Sequence, residues 1–116
     1  MAEGFARKYG SDVMEIASAG LAPISYVDSL TVKTMKDWGI DISAQYPKSM
    51  ADAPHQPWDL VVNMSGLPMP VGYPGQVLNW SVRDPFRLNE QVFQEVARQV
   101  EGLVQGLVLT MRRSIR

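Results

Sequence analysis

Cysteine is absent from this 116-residue sequence. Its absence excludes disulfides, thiolate metal centres and any cysteine nucleophile supplied by the chain itself. Histidine is nearly absent too: the one copy, His55, stands between Pro54 and Pro57. A lone imidazole in such a loop has no companion ligands, so no metal is expected, and nothing in the chain calls for a cofactor. An excess of either charge is also missing, with 11 basic and 12 acidic residues and a net charge of −1. There is therefore no electrostatic basis for binding nucleic acid or an anionic membrane. No apolar run approaches the ~20 residues of a bilayer span, and no signal peptide opens the chain. A soluble, cytoplasmic protein is expected.

What is present suits one domain over residues 1–116, with 46% apolar and 20% charged residues, enough to bury a core. Met1 to Tyr9 has helical spacing, with Ala2, Phe5, Ala6 and Tyr9 on one face, Glu3, Arg7 and Lys8 outside, and Gly10 as its stop. Val13–Ala17 reads as a short strand. Val27 to Trp38 reads as a second amphipathic helix, with Val27, Leu30, Met35 and Trp38 inward and Gly39 ending it. Ile40–Ser43 is a brief extended piece, and Ala44 to Pro57 has room for one short helix at most. The run Leu60-Val-Val within Trp58–Met64 is continuously apolar, as in a parallel strand covered on both faces. Gln76 to Val82 is the next strand. Asn89 caps a long helix to Arg113, whose Val92/Phe93, Val96, Val100, Leu103/Val104, Leu107/Val108 and Met111 hold a helical period. Gly102 and Gly106, four apart on one face, would let this helix lie close to a strand or a second helix. Helices alternating with buried strands argue an α/β, doubly wound parallel sheet in three layers.

Asp84 is followed by Pro85, which stiffens the loop leaving the strand at Gln76–Val82. In open α/β sheets, ligands sit beyond the carboxyl ends of the strands. Arg83 and Arg87 flank Asp84 and could attract a phosphate-like oxyanion. Ser18, Ser65 and Ser81 are nucleophiles by type only: none opens a helix from a glycine-rich turn or has a histidine base.

Together, Met1-Ala-Glu-Gly-Phe-Ala-Arg7, Ser18-Ala-Gly-Leu21, Gly39-Ile-Asp-Ile-Ser43, Trp58-Asp-Leu-Val-Val62 and Trp80 with Asp84-Pro85-Phe86 resemble the low-molecular-weight protein tyrosine phosphatase family, closest to its arsenate-reductase branch. The resemblance implies the phosphotyrosine phosphatase I-like fold. It also implies a cysteine thiolate in a Cys-x5-Arg loop between a first strand and the helix at Met1. By this resemblance Asp84 matches the general acid that protonates the leaving oxygen. The nucleophile and the oxyanion-binding arginine would lie upstream of Met1, so the chain is expected to lack the first strand and the phosphate loop. Reductases of this branch also pass electrons through cysteines after the third strand, where this sequence has Asn63-Met-Ser65. Serine cannot form a disulfide, so arsenate reduction by this chain is excluded.

The resemblance places the absent strand between Val13–Ala17 and Leu60–Val62. Losing four or five buried aliphatic side chains would remove roughly 10 kcal/mol of burial, against a domain stability of ~5–15 kcal/mol. Open edges also invite pairing with another chain. Three functional readings follow: a catalytically deficient remnant that assembles or binds anions weakly, a mis-called start of an active cysteine-dependent phosphatase or reductase, or an interaction module for a full-length relative. A homodimer or higher oligomer through the exposed sheet edges is the expected state. Size-exclusion chromatography with light scattering is expected to give at least twice the chain mass, whereas a stable monomer would remove the expectation.

Overall fold

The computed structural model describes residues 1–19, 29–45, 58–65, 76–85 and 88–114. In order, the elements are α1 (Ala2–Gly10), α2 (Ser29–Asp37), β1 (Leu60–Asn63), β2 (Gln76–Asn79) and α3 (Glu90–Ser114). The expected α/β class with a parallel sheet is present. β1 and β2 pair in parallel, with Leu60 opposite Gln76 and Asn63 opposite Asn79. Among the described residues the sheet has these two strands. The predicted start of α2 at Val27 and the segment 46–57 lie outside the described residues.

α3 is the longest element, and its apolar stripe is the floor of the core. Val96, Ala97, Val100, Val104 and Val108 are all buried, as the helical period requires. Asn89 caps it as expected: its Oδ1 accepts the Val92 N–H at 3.0 Å, satisfying one of the orphan donors of the first turn. α1 brings Phe5 to this floor and α2 brings Met35, both fully buried, and Ile40 and Ile42 close the cluster. Phe5 meets Trp38 edge to face, with centroids 5.8 Å apart, a favoured aromatic geometry.

α2 ends as its sequence foretells. Gly39 takes φ 78°, while Gly39 N–H reaches the Lys36 carbonyl and Ile40 N–H reaches the Met35 carbonyl, each at 2.9 Å. This paired closure needs a left-handed residue, which glycine adopts without a Cβ clash.

Four expectations change. Val13–Ala17 forms no strand: residues 11–13 turn and 14–19 run without regular structure. The Val13 and Met14 amides bond back to Gly10, and the Ile16 carbonyl accepts from Arg7 Nη2 at 2.8 Å. The two described strands pair with each other, and an unpaired strand is not stable alone. Second, Ile40–Ser43 is not extended throughout, because Gln45 N–H closes a turn onto the Ile42 carbonyl at 2.9 Å. Third, Leu60, Val61 and Val62 are only half-buried, and Asn63 is the buried residue of β1. Their continuous apolar character does not here correspond to cover on both faces.

Glycine supplies the fourth correction. Gly10 is the last residue of α1, so the helix stops where expected, but it closes on a right-handed Ser11 and not through a left-handed glycine. A Cβ on Gly10 would crowd the Met14 methyl and stand 2.8 Å from Val108, so close approach, not a left-handed cap, explains this glycine. Gly102 and Gly106, by contrast, face solvent, and a Cβ on either meets nothing within 4 Å. The helix is not packed through them. Gly102→Ala and Gly106→Ala are accordingly expected to raise stability by about 0.5–1 kcal/mol each in urea denaturation; a loss of stability would show that this face is packed after all.

Candidate functional site

The carboxyl ends of β1 and β2 lie side by side, since the strands are parallel and in register. β1 opens into Met64 and Ser65, β2 into Trp80–Pro85. Met64, Trp80 and Val82 pack against the helical cluster, so alternate residues of the second loop point inward. The intervening Ser81 and Arg83 are exposed, as is Asp84. Asp84 thus stands on the solvent side of a loop anchored from within. Its stiffening partner Pro85 accepts the Leu88 N–H at 2.9 Å, one turn before α3 begins. Phe86 and Arg87 lie outside the described residues.

The three serines fall in three surroundings. Ser65 is drawn back onto the strand end: its N–H and its hydroxyl both donate to Asn63 Oδ1, at 3.1 and 2.7 Å. Ser81 contributes its backbone carbonyl, which accepts from Gln99 Nε2 of α3 at 3.3 Å. Ser18 donates its hydroxyl to Glu3 Oε1, whose other oxygen accepts from Arg7 Nε at 2.9 Å. No histidine lies among the described residues, so none of these hydroxyls has an imidazole base there. Nor do the described residues contain a group of three His, Cys, Asp or Glu able to hold a metal ion. No helix among them is long and apolar enough to cross a membrane.

Two features escaped the sequence. Glu3, expected on the outer face of α1, has a side chain only 7% exposed that serves as the shared acceptor for Arg7 and Ser18. Helical spacing alone puts it beside Arg7, but only tertiary structure brings Ser18 to it. Asn63 is the second: buried at the end of β1, it donates from Nδ2 to Asn79 Oδ1 at 3.1 Å. A signal was present, because an amide ends both strands, but pairing Asn63 with Asn79 requires the register.

The profile of the low molecular weight phosphotyrosine protein phosphatase family matches residues 1–69. The chain belongs to this family. Its relatives include arsenate reductases. A glutaredoxin arsenate reductase of Synechocystis is 30% identical over 112 residues, covering 93% of this chain and 85% of that protein. An arsenate reductase of Halalkalibacterium halodurans is 41% identical over 66 residues, covering 57% of this chain and 47% of that protein. Among solved structures, an arsenate reductase in the phosphate binding state superposes with a TM-score of 0.85 at 29% identity, covering 95% of this chain and 86% of that one. An arsenate reductase in reduced state gives 0.81 at 28% identity, with the same coverage. This phosphatase-family chain therefore keeps the arrangement of those relatives over nearly its whole length, and Asp84 falls on its strand-end loop.

Proposed function

We propose that this chain, as it stands, is a catalytically deficient member of the phosphatase and arsenate-reductase family that retains the general-acid loop and acts through assembly or weak oxyanion binding. One observation carries the proposal: there is no cysteine anywhere in the 116 residues. Phosphoryl transfer through a covalent intermediate needs an activated nucleophile, and arsenate reduction needs thiols as the electron source. Asp84 can supply a proton to a leaving oxygen, but a proton donor without an attacking group breaks no bond.

Two further features support the assembly side. Leu60, Val61 and Val62 are only half-buried, and among the described residues β1 pairs with β2 alone. A strand with an open edge and part of its apolar surface in water gains by pairing with a second copy. For the anion, Arg83 is exposed beside Asp84 and, with Arg87 four positions along the sequence, would hold a phosphate-like group.

The purified chain is expected to hydrolyse an aryl phosphate no faster than buffer, with Asp84→Asn indistinguishable from the parent. Turnover that survives rigorous purification and disappears in Asp84→Asn would overturn the proposal.

A further inference from the structure

Asn63 ends a strand whose three preceding residues are apolar, and it is 7% exposed. A primary amide in such a place costs free energy unless its polar atoms are bonded. Here its bonds include contacts to both strand ends at the carboxyl edge of the sheet. Its Oδ1 accepts the Ser65 N–H at 3.1 Å and the Ser65 hydroxyl at 2.7 Å. Its Nδ2 donates to Asn79 Oδ1 at 3.1 Å. Its backbone carbonyl accepts the Trp80 N–H at 3.0 Å. The orientation of the amide is settled by chemistry, because a backbone N–H can only donate and must therefore face the oxygen.

We propose that Asn63 is a positioning residue: its side chain latches Ser65, where the chain leaves β1, to Asn79 at the end of β2, from which the loop carrying Asp84 departs. Both halves of the amide are needed. A carboxylate at 63 would keep the bonds to Ser65 and lose the donor to Asn79, and an aliphatic side chain would lose both. The far side of the second loop is held separately, by Gln99 on the Ser81 carbonyl and by Trp80 and Val82 packed on the core. Asn63 thus ties Ser65 to the end of β2. Its importance for chemistry rests on the reading of Asp84 as the retained acid. Turnover by the parent chain tests the catalytic deficiency, whereas amide exchange tests the latch by itself.

Asn79 is exposed, so Asn79→Ala removes the acceptor without opening the core. In NMR amide exchange on the full chain, this variant is expected to speed exchange about tenfold at both Ser65 and Trp80, as for one lost hydrogen bond in a shared opening. The Val100 and Val104 amides keep their rates. Asn79→Asp still offers an oxygen to Asn63 Nδ2 and is expected to stay within about twofold of the parent, a rescue that follows from the acceptor alone. An unchanged Ser65 rate in Asn79→Ala would show that the loops open independently and would overturn the latch. So would equal loosening by Asn79→Asp and Asn79→Ala.

Discussion

The buried valine stripe of α3 is the constraint on which the rest of the molecule depends. Val96, Val100, Val104 and Val108 recur at helical spacing and are almost wholly removed from water, and burial of such side chains is the main favourable term in folding. α1 can approach only because Gly4 and Gly10 leave room: a Cβ on Gly4 would stand 2.9 Å from the Met35 methyl, and one on Gly10 would stand 2.8 Å from Val108. Polar contacts then fix the register of the helices. The Tyr9 hydroxyl donates to Glu101 at 2.6 Å, Trp38 Nε1 donates to Gln94 at 2.9 Å, and Lys33 pairs with Glu90 at 2.5 Å. The last is exposed on both sides and adds little stability. These bonds specify an arrangement that apolar packing makes favourable.

The sheet hangs from this helical body by its carboxyl end. Met64, Trp80 and Val82 reach the cluster, while the strand residues before them, the buried Asn63 excepted, are half-buried or exposed. The end that is anchored is the end from which the loop carrying Asp84 departs. The other end has less to hold it. That uneven support, with the absence of cysteine, accounts for the combination proposed for this chain: a preserved acid loop, no attacking thiolate and an apolar strand available for pairing.

Much of this was legible in the residues, and the failures share a cause. Helices announce themselves locally: the valine period of α3, the Asn89 cap and the Gly39 closure depend on residues within a few positions of each other. Strand formation depends on a neighbour that local sequence cannot supply. Val13–Ala17 has strand composition, but its Val13 and Met14 amides bond back to Gly10 and its Ile16 carbonyl accepts from the Arg7 side chain instead. Leu60–Val62 does form a strand, yet its apolar run overstates its burial, because cover comes from other elements. Glycine is ambiguous in the same way. Gly39 is recognisable by its turn, whereas Gly10 is fixed by Val108 from a distant helix, and Gly102 and Gly106 touch nothing. Glu3 and Asn63 take their roles from Ser18 and Asn79, contacts that only the assembled fold creates.

Matched valine truncations test most directly whether stability resides in the helical body rather than in the sheet. Val104→Ala in α3 is expected to cost about 2 kcal/mol in urea denaturation, from two lost methyl groups and the cavity they leave. Val61→Ala in β1, where the side chain is already half in water, is expected to cost less than about 1 kcal/mol. An equal or larger loss at Val61 would contradict the account.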